Sequence, residues 1–455
     1  MSGRPGRAVT IIGAGMAGTL LAVLLAKRGY RIELFERSPD PRKGNAPAGR
    51  SVNLALGERG RHALGVGGLL GEVDAFSIPM RGRMLHDPQG ETRFQPYGKD
   101  ESEVIYSVHR ARLNHCLLNA ADALDEVEIH FDHRLDDIDW DQGQAIFAGP
   151  DGSERRHGFE TMIGADGAGS ALRQAMKSAA DLGVSEELLD TGYKELTMPA
   201  APDGSHQLDT NALHIWPRGG FMLIGLANAD GSFTMTLFLD NEGRGDMSGF
   251  DQLGDWRAQR AFMQENFPDA VPLMPHLESE FRENPVGLLG TIRCRQWHLG
   301  GKALIIGDAA HAIVPFHGQG VNAAFEDCVE LLDCIGDGAR AWQDVFADLQ
   351  GRRRDNAEAI ADMALENYDI MRESVRHEGF LLRKALEHEL ERRHPGHFVA
   401  RYSLVMFHRI PYAEAYRRGE IQAGILDQLL ANASSLDDVD YDKAAELITR
   451  KLNPL

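Results

Sequence analysis

Three glycines, Gly13, Gly15 and Gly18, stand at the end of the apolar run Val9 to Ile12, and an acid, Glu36, closes the next apolar stretch. The pattern G-x-G-x-x-G works through its backbone. One glycine makes a tight turn, the next lets the main chain approach a pyrophosphate, and the third lets helix and strand pack closely. Unpaired N–H groups at the start of the following helix then offer about half a positive charge to that pyrophosphate. Glu36 is placed to accept hydrogen bonds from a ribose hydroxyl, and its charge would repel a 2′-phosphate, so FAD or NAD fits here and NADP does not. The bland alternative is a glycine-rich turn in an ordinary α/β domain, against which strand, helix and distal acid all fall in place. A second glycine-rich run, Gly65 to Gly71, follows no strand and reads as a loop.

A distant constellation separates FAD from NAD. The segment Leu304-Ile305-Ile306-Gly307-Asp308-Ala309-Ala310-His311 ends a strand on Gly-Asp, and Pro315 to Asn322 leads through Gly318 and Gly320 into a helix. A close-approach loop and a second helix N-terminus suit an extended ligand whose ribityl hydroxyls need an Asp and whose flavin ring needs N–H donors. A third piece, Ile163-Gly164-Ala165-Asp166-Gly167, repeats the arrangement of a strand followed by Asp-Gly. Each alone is a weak signal.

The elements that must carry these motifs begin with a βαβ unit: strand Val9 to Ile12, helix Met16 to Arg28 ending at Gly29, strand Arg31 to Phe35. Residues Arg37 to Gly49 read as a long loop. From Met198 to Phe281 the pattern shifts towards strands, with Phe221 to Ala227 and Phe233 to Leu239 forming a hairpin about Asn228-Ala229-Asp230-Gly231. Ala303 to Ile306 reads as a strand, Val321 to Cys334 as a helix, and the chain beyond about Arg352 as helical. The expected fold class is α/β: an FAD-binding Rossmann-like domain, residues 1–70, 106–178 and 291–350, interrupted by a β-sheet substrate domain, residues 71–105 and 179–290, with a C-terminal helical region, 351–455.

With 455 residues, 43% hydrophobic and 25% charged, the chain is long enough for more than one core and ordinary in composition. A formal net charge of −20 argues against nucleic acid, because polyanions are repelled by such a field. A buried Arg still dominates its own pocket, since salt screens surface charge over about 8 Å. The four cysteines, Cys116, Cys294, Cys328 and Cys334, form no C-x-x-C pair and no zinc spacing, so reduced thiols and no metal are expected. Arg4 and Arg7 precede the uncharged stretch Val9 to Ala26, a decoy for a signal peptide or span that the glycines argue against. No membrane anchor is expected, and a cytoplasmic protein is.

Together these residues resemble the flavoprotein aromatic hydroxylases of the para-hydroxybenzoate hydroxylase type, whose glycine fingerprint, Asp-Gly motif and Gly-Asp motif all occur here in order. The finer resemblance is to the kynurenine 3-monooxygenase family. It rests on Gly49-Arg50-Ser51-Val52-Asn53-Leu54-Ala55-Leu56, Pro79-Met80-Arg81-Gly82-Arg83-Met84, Pro96-Tyr97-Gly98, and Pro315-Phe316-His317-Gly318-Gln319-Gly320-Val321-Asn322 with Phe325-Glu326-Asp327-Cys328. The likeness runs from about Val9 to about Tyr412. It implies hydroxylation of L-kynurenine to 3-hydroxykynurenine with FAD, NADPH and O2, through a flavin C4a-hydroperoxide, with no catalytic side chain beyond the flavin. Glu36, Arg37, Arg110 of the Arg-x-x-Leu element, Asp166, Asp308, Pro315, Gly318, Gly320, Val321 and Asn322 would join the three fingerprint glycines around FAD. Arg83, Tyr97 and Asn367 would hold the amino-acid end of the substrate. Met222, Ile224, Leu226, Phe238, Phe316, His317, Met371 and Tyr402 would line its aromatic end. Val321 and His317 depart from the residues common in the family, and the membrane-anchoring tail of its eukaryotic members is absent, which points to a soluble bacterial type, with a homodimer left open.

Physical weighing leaves alternatives standing. A planar carboxylate favours a bidentate Arg, and Arg83 is a candidate, yet Arg81, Arg83 and Arg93 serve equally as solvated surface charge. Met222, Ile224 and Leu226 alternate on one strand and so share a face, which matches a pocket wall and an ordinary sheet core alike. Met371, four residues after Asn367, lies on the same helical face. His311 and His317 invite a catalytic reading, against which a structural or flavin-packing role stands. Rival classes are a flavin reductase or dehydrogenase of the same fold, a hydroxylase of another arene, and a flavin-bound adaptor; a halogenase would need a W-x-W-x-I-P motif, which does not occur.

Overall fold

A computed structural model describes residues 7–44, 53–99, 102–149, 151–245, 248–371 and 378–455. The chain forms two compact units, one of Met1–Ser77, Val108–Leu189 and Leu289–Ala361, the other of Ile78–Ser107, Asp190–Leu288 and Asp362–Leu455. Gly49 to Val52 of the Gly-Arg-Ser motif lie outside the described residues.

The first unit is built on a six-stranded sheet in which Ala303–Ile305, Met162–Gly164, Ala8–Ile12, Arg31–Phe35 and Val127–His130 lie side by side and parallel, with His298–Leu299 antiparallel at one edge. Parallel strands covered on both faces read as short unbroken apolar runs, and Ala8–Ile12 is buried from Val9 onward. In the helix Met16–Ala26 every residue from Gly18 on is buried, the mark of a helix packed all round. The regular helix stops at Ala26, short of the expected Arg28. A Schellman closure ends it there, Gly29 N–H to Ala26 C=O (2.8 Å) and Tyr30 N–H to Leu25 C=O (3.2 Å), with Gly29 at φ 84°.

Gly65 to Gly71 corrects the reading as a loop. Glu58–Gly67 is a helix, Gly68 (φ 72°) closes it, and Leu70–Asp74 is a further short helix. Glycine's cost in a helix is about 1 kcal/mol each, and here close packing offsets it. A Cβ on Gly67 would stand 3.3 Å from Leu20, and one on Gly60 would stand 2.5 Å from Oδ1 of Asn322.

In the second unit, strands Ser185–Met198, Phe233–Asp240, Met222–Ala227, Ala212–Pro217, Gly82–His86 and Thr92–Pro96 follow one another across a sheet. The expected hairpin is present as Met222–Ala227 antiparallel to Phe233–Asp240, with Ala227 opposite Phe233. The strand-rich reading of Met198 to Phe281 is corrected by helices Trp256–Asn266 and Leu277–Glu283. Phe262, Met263 and Phe281 of these helices bury against Leu223, Met235 and Leu237 of the sheet. That contact explains their apolar content, which local composition misread as strand. The C-terminal helices Glu378–Arg393, Tyr412–Leu430 and Tyr441–Lys451 share a core of Leu386, Leu390, Ile425, Leu426, Leu447 and Ile448.

Candidate active site

Register in the first unit gathers the motifs. Ile12 lies opposite both Phe35 and Gly164, and Gly164 opposite Ile305, so Gly13, Glu36, Asp166 and Asp308 all follow the carboxyl ends of adjacent parallel strands. That edge of an open α/β sheet is where ligands bind. The glycines have separable tasks. Gly13 (φ 98°) could not carry a Cβ, which would lie 2.7 Å from Ala165 O, and a Cβ on Gly18 would lie 1.9 Å from Gly13 O. A Cβ on Gly15 would meet nothing within 4 Å. Packing therefore demands the first and third glycines, while the middle one borders open space at the helix start, where the bulk of a pyrophosphate can sit.

Glu36 accepts Ala14 N–H through Oε2 (3.0 Å) and Ser38 N–H through Oε1 (2.9 Å), each oxygen keeping a lone pair for a further donor. Arg37 is exposed. Asp166 faces elsewhere: its carboxylate takes the Ser170 hydroxyl (2.6 Å) and Leu172 N–H (3.1 Å), so it caps the helix Ala171–Lys177 and adds its backbone, beside Gly13, to the loop. Asp308 is solvent-accessible while Gly307, Ala309, Ala310 and His311 are buried. Its carboxyl is nevertheless raised above its ordinary range by desolvation, with His311 and Arg110 pulling it back. Its accessible carboxyl suits hydroxyl donors of a bound ligand.

Pro315–His317 forms a single turn closed by Gly318 (φ 67°), and the helix Gly320–Ile335 follows. Phe316 and His317 are buried, and a Cβ on Gly320 would meet nothing within 4 Å. Gly320 and Val321 thus begin a helix whose first N–H groups have no intrahelical partner. Asn322 is completely buried, and its amide is fully used: Oδ1 accepts from Gly57 N–H (2.9 Å) and Gly60 N–H (3.2 Å), and Nδ2 donates to Ala55 O (2.8 Å) and Gly318 O (2.9 Å). Any contact it makes with a cofactor comes from its backbone. These features fit FAD: two open helix starts, an available acid after the strand Arg31–Phe35, and an accessible Asp308.

The second unit holds the other group of expected residues. Gly82 permits the close pairing of Gly82–His86 with Thr92–Pro96, since a Cβ there would lie 2.2 Å from Gln95 O. This pairing sets Arg83 near Tyr97. The Arg83 guanidinium carbon lies 5.5 Å from the Tyr97 ring centre and 5.0 Å from that of Tyr402, and the two rings stack at 5.6 Å. Arg83 Nε is buried without a hydrogen-bond partner. Burial holds both phenols above their ordinary pKa. Met222 faces Phe238 directly across the hairpin, and by alternation Ile224 and Leu226 share that face. The opposite face supplies Leu223, Met235 and Leu237 to the helix-covered core. The shared face is thus not the one filled by those helices. Asn367 Nδ2 contacts Met371 Sδ at 3.5 Å, both buried, one turn apart.

A family profile described as FAD binding domain matches residues 7–364. Kynurenine 3-monooxygenase of Myxococcus xanthus (strain DK1622) is 47% identical over 447 residues, covering 98% of this chain and 96% of that protein. That of Stenotrophomonas maltophilia (strain K279a) is 48% identical over 436 residues, covering 96% and 95%. The chain belongs to the kynurenine 3-monooxygenase family. Among solved structures, 2-methyl-3-hydroxypyridine-5-carboxylic acid oxygenase in its tetrameric form superposes with a TM-score of 0.66 at 18% identity, over 83% of this chain and 96% of that one. PqsL of P. aeruginosa in complex with 2-aminobenzoylacetate does so with a TM-score of 0.65 at 20% identity, over 81% and 97%. These two show the shared fold, the FAD-binding monooxygenase fold of mixed sheets and helices.

In this member of the kynurenine 3-monooxygenase family, sequence reasoning missed two buried polar networks. One joins Asp327 to Gly307, His311 and Arg353, and Glu326 to Arg59 and Arg353. Its signal was the charged pair Glu326-Asp327 within the mostly apolar stretch Val321 to Cys334. The other links Asp269 to His86 (3.0 Å) and Trp216 (2.8 Å), and His86 to His214 (2.9 Å). Burial lowers His214 to about 4 and keeps it neutral. Nothing local in the sequence signals that second network. No helix among the described residues is long and apolar enough to cross a membrane.

Proposed function

We infer that the protein is an FAD-dependent monooxygenase that converts L-kynurenine to 3-hydroxykynurenine with NADPH and O2, the first unit holding FAD and the second taking the substrate. The observation that carries the substrate is the Arg83 guanidinium set against Tyr97 and Tyr402 with a buried Nε left unpaired. An unmet charged donor in a poorly solvated site is costly. A carboxylate presented there accepts from Nε and a second guanidinium N–H in the bidentate geometry that Arg favours. Tyr97 and Tyr402, held as neutral phenols by burial, donate their O–H groups to the same carboxylate. On this reading Tyr402 serves the amino-acid end rather than the aromatic end, and Asn367 adds an amide that can accept from the ammonium.

Met222, Ile224, Leu226 and Phe238 then form an apolar wall for the aryl ring, with Met371 of the same unit as further lining. The chemistry supplied by bound FAD is activation of O2 after reduction by NADPH. The protein's share is to bind FAD at Gly13, Gly15, Gly18, Glu36, Arg110, Asp308, Pro315, Gly318, Gly320, Val321 and the Asn322 backbone, to fix the ring carbon, and to exclude water. The test mixes holoprotein with NADPH and O2, with and without L-kynurenine. Kynurenine-stimulated NADPH oxidation with 3-hydroxykynurenine as product is expected; oxidation indifferent to kynurenine would return the protein to the flavin reductases.

A further inference from the structure

The motif Phe325-Glu326-Asp327-Cys328 has no part in the site just described, yet it contains a carboxylate that is both fully buried and held by three hydrogen bonds. Asp327 is fully buried. Its Oδ2 accepts from the backbone N–H of Gly307 (2.9 Å) and from Nε2 of His311 (2.6 Å), and its Oδ1 from Nε of Arg353 (2.7 Å). Gly307 and His311 bracket the short turn Asp308–His311, so a single oxygen ties down both of its ends. Within that turn only Asp308 reaches solvent.

Further contacts leave the turn little freedom. Gly307 has φ 55° and ψ −142°, a conformation that L side chains resist, and a Cβ there would lie 2.9 Å from Ala324 Cβ on the same helix as Asp327. The His311 ring stacks on Trp297 with centroids 5.0 Å apart. Arg353 is shared with Glu326, which in turn accepts from Arg59 Nε (2.9 Å). Burying such charges contributes little to stability compared with apolar side chains of similar volume, while their hydrogen bonds fix the geometry of the turn.

We propose that Asp327 is a positioning residue for the cofactor site, its carboxylate holding the Gly307–His311 turn so that Asp308 alone is presented to FAD. The proposal rests on the reading that this unit binds FAD through Asp308. Asp327 touches no ligand. It acts through the turn; desolvation by burial works to raise its pKa, but its interactions with His311 and Arg353 prevail and lower it to about 2, so it stays ionised.

The test titrates FAD into full-length apoprotein and follows quenching of flavin fluorescence in wild type, D308N, D327N, D308N/D327N and D327N/R353Q. D327N is expected to weaken FAD about tenfold or more, the scale of one charge-assisted hydrogen bond. Because Asp327 works through Asp308, the losses should not multiply: D308N/D327N should bind within about twofold of the weaker single variant. Removing one member of a buried ion pair strands the other charge, so D327N is at risk of misfolding, and D327N/R353Q, with both charges gone, then carries the comparison. In steady state the FAD concentration for half activity should rise in D327N while the L-kynurenine KM at saturating FAD stays within about twofold, a split that general loosening of the fold would not give. FAD affinity within twofold of wild type in D327N and D327N/R353Q, or losses that multiply in D308N/D327N, would overturn the proposal. Wild-type protein that binds no FAD would instead remove the functional reading beneath it.

Discussion

At the scale of single residues, the strongest prediction concerns the unpaired Nε of Arg83. Arg83→Met should raise the L-kynurenine KM about a hundredfold or more, the cost of losing a bidentate charged contact, with FAD still bound. An unchanged KM in steady-state assays would exclude Arg83 as the carboxylate anchor. Tyr402→Phe separates the two ends of the substrate. If its hydroxyl donates to the carboxylate, KM should rise about tenfold with little change in the fraction of NADPH coupled to hydroxylation; a residue lining the ring would disturb coupling first. Arg83 could be singled out in the sequence by resemblance, but its partners could not all be placed. Tyr402 stacks on Tyr97 only because a C-terminal helix packs there, a tertiary fact with no trace in local spacing. Asn322 shows the converse: resemblance marks it, while only the four hydrogen bonds of its amide reveal that the side chain is fully engaged within the protein.

At the scale of elements, motifs read from backbone demands were the legible part. Strand, tight turn and helix at Gly13 to Gly18 follow from what glycine permits, and the hairpin Met222–Ala227/Phe233–Asp240 follows from alternation and a turn signal. The stretches misread, Gly65 to Gly71 at the end of helix Glu58–Gly67 and the helix Trp256–Asn266, owe their helicity to partners far along the chain. Gly60 makes that dependence testable. Its missing side chain leaves room for the Asn322 amide, and a Cβ would fall 2.5 Å from Oδ1, which is itself pinned by Gly57. Gly60→Ala would gain helix propensity of about 1 kcal/mol in an isolated helix. Here it should instead lower Tm and weaken FAD binding, because the amide that joins this helix to the Gly318 loop must shift. Calorimetry with FAD titration decides the sign.

At the scale of the whole molecule, a net charge of −20 means that every additional buried negative charge works against the prevailing field. Glu391 is such a charge. It is buried on the helix Glu378–Arg393, its Oε1 has no hydrogen-bond partner, and desolvation, reinforced by Glu103, raises its carboxyl from 4.5 to about 7. A folded-state value above the unfolded one means that the native chain binds the proton more tightly. The resulting stabilisation is complete below about pH 4.5 and is lost as pH rises from there through about 7. Asp327, lowered to about 2, has the opposite sign and loses its contribution only as pH falls below its ordinary value of 3.8. Between pH 5 and 8 the Glu391 slope should therefore stand alone of the two. Glu391→Gln, uncharged at every pH, should be more stable than wild type at pH 8 by on the order of 1–3 kcal/mol and should show little advantage at pH 5. Denaturant unfolding at the two pH values tests this, and an advantage equal at both would mean that packing, not the proton, sets its effect. No sequence pattern marks Glu391 as unusual among the 68 acidic residues, because its shift arises from burial among segments that only the folded chain brings together.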